Sequence, residues 1–492
     1  MKHYFRLLGM IGFLLTGCQP QGSQYPNIVI IYADDLGYGD ISCQNMDSKI
    51  ATPHIDQLAA AGIRFSDAHS SAAVCTPSRY SLLTGRYCWR TELKKGVLWC
   101  WDKPLIKKGR LTLARMLREK GYQTAAIGKW HLGWTWPTTD GIFAKQNNGQ
   151  QVDYTRPLAG GPNEYGFDYY FGDDVPNFPP YTFIENDRVT EIPTVLKPDS
   201  LYGQKGIMVE GWKLDAVMPA ITEKAVSYIT QAAAQNNPFF LYFPLTAPHD
   251  PVAPAQEFKG SSQAGLYGDY VREVDWTVGR VVDVLERAGA AKNTLVIFTS
   301  DNGAYGGDGT NGLGKLGSVR RFGHSPNGPL RGFKGDIWEA GHRIPMIVKW
   351  PEKIKPGQVR TDLICQVDFM ATLANLIGYD LPADAAEDSF DFTAVLLDEE
   401  YHDPVRETLV NHSVDGSFAL RKGNWKLIFT DRSGGFSNGL SPEGFGIETP
   451  GQLYNLADDL GEKLNLYEQY PKMVRELTIL LDKIKNDGKS HE

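Results

Sequence analysis

Several short apolar runs in this chain end abruptly in charged residues. Asn27-Ile28-Val29-Ile30-Ile31-Tyr32 has no polar alternation and is rich in β-branched side chains. That pattern predicts a strand buried on both faces, as in a parallel sheet. It stops at Ala33-Asp34-Asp35-Leu36-Gly37. Thr294-Leu295-Val296-Ile297-Phe298-Thr299-Ser300 repeats the pattern and stops at Asp301-Asn302-Gly303. Tyr122-Gln123-Thr124-Ala125-Ala126-Ile127, after an amphipathic helix over 111–120, leads into Gly128-Lys129-Trp130-His131-Leu132-Gly133. Pro238-Phe239-Phe240-Leu241-Tyr242-Phe243 is followed by Thr246-Ala247-Pro248-His249-Asp250-Pro251. In open α/β sheets ligands bind beyond the carboxyl ends of the strands, so charges delivered there are candidate site residues.

Farther on the pattern changes. Gln366-Val367-Asp368-Phe369-Met370-Ala371-Thr372-Leu373 begins a helix that closes the main domain, and 382–391 reads as loop. Ser417-Phe418-Ala419-Leu420 and Trp425-Lys426-Leu427-Ile428-Phe429 flank Lys422-Gly423-Asn424 and predict a hairpin. Met473, Val474, Leu477, Leu480, Leu481 and Ile484 fall on one face of a last helix. The fold class expected is α/β. A large mixed, mostly parallel sheet sandwiched by helices should occupy 25–385, with a smaller C-terminal α+β subdomain, antiparallel sheet plus helix, over 386–492.

At the other end, Lys2 and Arg6 precede an apolar run over 7–15 that is too short to span a bilayer. Leu15-Thr16-Gly17-Cys18 looks like a bacterial lipobox. Residues 1–17 are therefore read as a lipoprotein signal peptide, Cys18 as the lipidated residue and 18–24 as a tether. The expected location is outside the inner membrane of a Gram-negative bacterium, as an exported, periplasmic or membrane-anchored lipoprotein. No later segment is long and apolar enough to span a membrane.

Composition narrows the chemistry. With 42% hydrophobic and 22% charged residues the chain is an ordinary globular one, not a disordered one. A formal net charge of −8 argues against a nucleic-acid partner, and leaves an anionic substrate to be attracted by local cations. Asp34 and Asp35 with Asp301 and Asn302 offer an all-oxygen set suited to Ca²⁺ or Mg²⁺ rather than zinc. Six cysteines show no metal spacing, and Cys88 and Cys100 are read as unpaired thiols in preference to a disulfide. Cys75 opens a helix with Arg79 nearby, a positive setting that favours an anion there or an anionic form of the residue. Gly312-Leu313-Gly314-Lys315-Leu316-Gly317 fits a dinucleotide fingerprint, but no strand feeds it and no helix follows, so it reads as a mobile loop.

The core Cys75-Thr76-Pro77-Ser78-Arg79, followed by Leu83-Thr84-Gly85-Arg86, resembles the signature of the type I, formylglycine-dependent sulfatases of the alkaline phosphatase superfamily. Gly128-Lys129-Trp130-His131-Leu132-Gly133 is similar to a second signature of that family. The resemblance implies an alkaline-phosphatase-like sheet and hydrolysis of sulfate esters. It implies that a maturase oxidises Cys75 to formylglycine, whose hydrated aldehyde is the nucleophile, and that Arg79 holds it. By the same resemblance Lys129 and Lys334 neutralise the sulfate and His249 protonates the leaving oxygen. His131 would help the aldehyde re-form. Asp34, Asp35, Asp301 and Asn302 would hold Ca²⁺, with Asp301 taking the nucleophile's proton.

The partner expected is a sulfated saccharide. Trp89-Arg90 through Leu98 is similar to bacterial relatives acting on sulfated galactose or N-acetylgalactosamine. That implies exo action at O4 or O6 on glycosaminoglycans or other host or algal glycans. Trp89, Trp99, Trp101, Trp134 and Trp136 with Arg90 are candidate sugar contacts, and Asp174, His324 and Arg331 are secondary ones. One position departs from the family pattern: Phe171-Gly172-Asp173-Asp174-Val175-Pro176 carries no Ser where some arylsulfatases have one near the sulfate. The rival readings are a phosphate or phosphonate hydrolase of the same superfamily and a glycan-binding lipoprotein without turnover.

Overall fold

The structure is a computed structural model in which residues 25–437 and 449–491 are described; the signal segment, Cys18 and the tether lie outside them. Ten strands form the main sheet, in the order Gln358–Arg360, Ile63–Phe65, Met346–Lys349, Thr294–Ser300, Asn27–Asp34, Phe239–Pro248, Gln123–Ile127, Tyr169–Gly172, Ile184–Glu185 and Arg188–Val189. The five strands from Thr294–Ser300 to Tyr169–Gly172 are parallel, and antiparallel pairs flank them on each side. The sheet is thus mixed and parallel at its centre, as the unbroken apolar runs predict.

Both faces are covered. Along Asn27–Asp34 successive side chains point to opposite faces. Ile28, Ile30 and Tyr32 join one core layer with residues of the helices Cys75–Thr84, Leu113–Glu119 and Phe369–Leu376. Val29, Ile31 and Ala33 join the other, with residues of Pro53–Ala60, Val217–Ala233 and Gly265–Arg287. The predicted amphipathic helix over 111–120 is observed as Leu113–Glu119, with Thr112 capping its first turn through Arg115 N–H. No helix among the described residues is long and apolar enough to cross a membrane.

The register of the central strands sets the site. Ala33 pairs with Ser300, so the residues that follow, Asp34 and Asp301, emerge side by side. Asp34 pairs in turn with Pro248, which brings His249 to the same edge. Gly128 ends the next strand over with φ +120°, and a Cβ there would stand 1.8 Å from the Pro244 carbonyl oxygen. Only glycine lets that strand turn into Lys129 so close to its neighbour.

The C-terminal unit is a four-stranded antiparallel sheet, Thr408–His412, Phe418–Lys422, Trp425–Ile428 and Gln452–Asn455, with the helix Pro471–Asn486. The predicted hairpin is present, with Lys422 opposite Trp425 across Gly423-Asn424. Residues 462–466 form no strand. Leu409, Leu420, Leu427 and Leu453 pack with Val474, Leu477 and Leu481, and Tyr87, Trp89 and Val367 of the main domain join them. The unit is also sewn to the reactive stretch: Ala73 N–H donates to His412 O, Gly335 N–H to Ala73 O and Val414 N–H to Gly335 O.

Candidate active site

Asp34, Asp35, Arg79, Lys129, Asp301, Asn302 and Lys334 meet at the carboxyl edge of the sheet, and each is less than a tenth exposed. Buried charges persist only when paired, and here the pairing is dense. Arg79 Nη2 lies 2.8 Å from Asp301 Oδ2 and 3.2 Å from Asp34 Oδ1. Lys129 Nζ lies 2.7 Å from Asp34 Oδ2 and Lys334 Nζ 2.7 Å from Asp35 Oδ1. Asn302 donates to Asp35 Oδ1 at 2.8 Å. Asp35 and His131 both sit at positive φ, 66° and 55°. Side chains other than glycine seldom adopt that region, and functional sites are where such strain collects.

Cys75 is the first residue of the helix Cys75–Thr84, which follows extended Val74. Its Sγ and atoms of Asp34, Asp35 and His249 lie within 4.8 Å of one another. Burial pushes its thiol up to about 12, with Asp301 and Asp34 adding to that and Lys129 and Lys334 pulling the other way. Of the two readings of this helix start, a bound anion or an anionic Cys75, the second is therefore corrected. Desolvation and the carboxylates outweigh Lys129 and Lys334, which favours the neutral form of an unmodified Cys75 thiol.

The two histidines have defined roles as donors and acceptors. His131 Nε2 lies 2.9 Å from Leu98 O, so it carries the proton, and buried Nδ1 has no hydrogen-bond partner among the described residues. Burial, then the charge of Lys129, keeps this imidazole well below its ordinary pKa, so it is neutral. His249 Nδ1 donates to Asp250 O, and its Nε2 points toward Asp35 Oδ2, 4.0 Å away. Burial alone would push the Asp34 carboxyl up, but Lys129, His249, Arg79 and Lys334 together hold it well below the usual carboxylate range.

The donor set fits a hard cation. Asp34, Asp35, Asp301 and Asn302 supply only oxygen, and Asn302 Oδ1 is buried with no hydrogen-bond partner among the described residues. An orphaned amide oxygen beside three carboxylates is what an oxygen-ligated divalent ion would satisfy.

A cleft of about 540 Å³ opens onto this cluster, lined by Cys75, His131, His249 and Lys334 from the charged side and by Trp99, Asn177, Phe178 and Gln204 beyond. Val414 and Phe436 of the C-terminal region close its wall.

The secondary candidates separate. Asp174 Oδ1 accepts from His131 N–H at 3.1 Å, so it braces the strained His131 backbone. Burial pushes its carboxyl up to about 6. His324 is a correction: its Nε2 bonds Asp40 Oδ1 at 2.7 Å and its Nδ1 accepts from Lys49 N–H, leaving no ring nitrogen for a sugar. Arg331 is another, for its guanidinium covers Trp338 at 3.7 Å and donates to Glu462 O. Of the tryptophans proposed for stacking, Trp89, Trp101, Trp134 and Trp136 are core residues, while Trp99 is 54% exposed in the cleft. Arg90 is bound to Asp388. Cys88 and Cys100 are free thiols. The glycine-rich loop over 303–317 folds on its own backbone bonds, such as Gly309 N–H to Leu313 O.

Residues 26–379 match the sulfatase family, and 334–436 match the C-terminal family of N-sulphoglucosamine sulphohydrolase. The chain belongs to the sulfatase family. It is a sulfuric ester hydrolase, of a family that generally uses formylglycine and a divalent metal. This sulfatase is 35% identical to N-acetylgalactosamine-6-O-sulfatase of Bacteroides thetaiotaomicron, over 99% of its own length and 100% of the relative's. It is 33% identical to human arylsulfatase A, over 90% of this chain and 83% of that one. Among solved structures, one from work on glycosaminoglycan metabolism by Bacteroides thetaiotaomicron superposes with a TM-score of 0.81 at 35% identity, covering 94% of this chain and 100% of that one. A sulfatase from Pseudoalteromonas sp. superposes with a TM-score of 0.72 at 25% identity, covering 95% and 92%.

The site contains residues that no motif marked. Asn177, Phe178, Gln204, Val414 and Phe436 line the cleft from segments far apart in sequence. Only Asn177 and Phe178 stood near a stretch singled out beforehand, the loop that lacks the family's Ser.

Proposed function

We propose that this sulfatase removes sulfate from galactose-type sugars, N-acetylgalactosamine 6-sulfate foremost, acting on the exposed ends of sulfated glycans with a formylglycine formed from Cys75 and with Ca²⁺. The observation that carries this reading is the end-to-end similarity to an N-acetylgalactosamine-6-O-sulfatase. Asp34, Asp35, Asp301 and Asn302 would hold the ion, which would supply positive charge to the sulfate oxygens. Formylglycine would supply the hydrated aldehyde oxygen that attacks sulfur, a nucleophile the neutral thiol cannot match.

The chain's own residues do the rest. Lys334 lines the cleft while bound to Asp35, so its ammonium faces an entering anion. Lys129 and Arg79 keep the Asp34 carboxylate ionised and in place. His249, with Nδ1 committed to Asp250 O, presents Nε2 as the atom that passes a proton to the leaving sugar oxygen. His131 presents an unprotonated Nδ1 that can accept one. Export as a lipoprotein through Cys18 is part of the reading, supported by Leu15-Thr16-Gly17-Cys18. Fatty-acid labelling that survives Cys18→Ala would remove that part.

The test is sulfate release from galactose and N-acetylgalactosamine sulfated at O4 or O6. Release from the N-acetylgalactosamine 6-sulfate, lost in Cys75→Ala, is expected. Silence across all four esters would overturn the sugar assignment.

A further inference from the structure

We propose that Trp99 is a specificity-determining residue of the cleft: its free face is the surface on which the ring of the sulfated sugar packs, and Lys95, which lines the same cleft, favours a second anionic group on the same saccharide. This rests on the sugar-sulfatase reading above. Trp99 is 54% exposed although it lines the cleft, and one of its faces is covered. That face is stacked on Phe178, with ring centroids 5.2 Å apart and planes 18° apart. Phe178 in turn meets the His131 ring edge-on at 5.9 Å. An aromatic backed by another aromatic is a rigid platform, and an apolar face beside polar groups suits a sugar ring.

The platform is tied to the reacting centre through backbone. Thr76 Oγ1, next to the nucleophile, accepts from Leu98 N–H at 3.2 Å and donates to His131 O at 3.0 Å. Leu98 O holds His131 Nε2. Trp99 N–H donates to Asp102 Oδ2 at 2.8 Å. Trp99 is therefore placed by the same bonds that fix Cys75 and His131 relative to each other, as a residue that reads the leaving group should be.

Lys95, an exposed side chain, also lines the cleft, and no ion pair or hydrogen bond holds its ammonium among the described residues. Lys334 and Lys129, by contrast, are both bound to carboxylates. A sulfate or a carboxylate on the same saccharide would meet Lys95 without displacing a partner.

Steady-state sulfate release by the full chain bearing formylglycine tests this. The substrates are N-acetylgalactosamine 6-sulfate, its 4,6-disulfate, a uronate-linked 6-sulfated disaccharide and an acyclic alkyl sulfate. Trp99→Ala should raise KM for the sugar esters about tenfold, with a much smaller change in kcat and a much smaller effect on the alkyl ester. Trp99→Phe should recover most of the loss. Lys95→Met should erase the preference for the doubly anionic saccharides, and which of the two loses more identifies sulfate or carboxylate as the group read. Equal losses on sugar and alkyl esters, or no rise in KM, would overturn the role of Trp99 while leaving the sulfatase reading standing. An unchanged preference in Lys95→Met would overturn the role of Lys95. Failure of the unaltered protein to act on any sugar ester would sink both the reading and this inference.

Discussion

Two buried charge clusters in this sulfatase are built from nearly the same parts and do different work. At the carboxyl edge of the sheet, Asp34, Asp35 and Asp301 face Arg79, Lys129 and Lys334, with His131 and His249 beside them. Between the main sheet and the C-terminal sheet, Asp67, Glu339 and Glu462 face Arg343, Arg421 and Lys426, with His69 and His342 beside them. In the second cluster His69 Nδ1 lies 3.0 Å from His342 Nδ1, and His69 Nε2 2.9 Å from Asp67. Lys426 Nζ contacts Glu339, Glu462 and His342 within about 3.1 Å. Charge inventory does not distinguish the two. Spare valence does: the first keeps an unpartnered Asn302 oxygen and His131 nitrogen, while in the second, although Asp67 and Arg421 line a cleft of about 640 Å³, the imidazoles are taken up by protein. A buried ion-pair network becomes a reactive one when some of its groups are left for a ligand to satisfy.

The sharpest break of this comparison comes from removing the reacting atom. Cys75→Ala should lower sulfate release by at least about 10⁴-fold, read by ion chromatography, while the thermal unfolding midpoint barely moves. Chelation is next. Removing divalent metal should abolish turnover and lower the unfolding midpoint, and added Ca²⁺ should restore both, because an ion that binds only the folded chain stabilises it. Metal removal should not touch the second cluster.

Lys426→Met attacks the other side. It strands Glu462 without a cation and leaves Glu339 with Arg343 alone, and should cost about 3–5 kcal/mol in denaturant unfolding. The folded fraction should keep most of its kcat/KM. A larger loss of turnover than of stability would erase the distinction between the clusters.

The smallest effect is in pH. Burial first, and then for His342 the charge of Lys426, hold both His69 and His342 below their ordinary pKa. Their folded values lie below the unfolded value near 6.5, so the unfolded chain binds more protons as pH falls. Their contribution is present above about pH 6.5 and is lost below it, by up to about 1.4 kcal/mol per pH unit for each. Glu462 opposes this, since burial raises it to about 7 and its contribution fades as pH rises toward that value. The difference in unfolding free energy between the unaltered chain and His342→Gln, followed from pH 7 to 5, isolates the histidine. A flat difference would contradict the assignment.

How far the sequence foretold these clusters follows from where their residues sit. Asp34, Asp35, Asp301, Asn302, Lys129 and His249 each follow a strand-like run, and a parallel sheet brings such run-ends to one edge. Local pattern plus one topological rule was enough. His69, His342, Lys426 and Glu462 follow no such rule, because their meeting depends on how the C-terminal sheet docks. His324 and Arg331 failed as sugar contacts for the same reason: Asp40 and Glu462, which engage them, lie 284 and 131 positions away. Trp99 was one tryptophan among several in sequence. Only packing separated it from Trp101 and Trp134, which are buried.

The central claim is that turnover belongs to an aldehyde at position 75 and not to the thiol. Its most direct test is a peptide mass spectrum across that position, taken on preparations of graded maturation alongside their rates of sulfate release. The account predicts that rate rises in proportion to the aldehyde fraction and vanishes where only thiol is found. Full turnover by protein carrying only the thiol would contradict it.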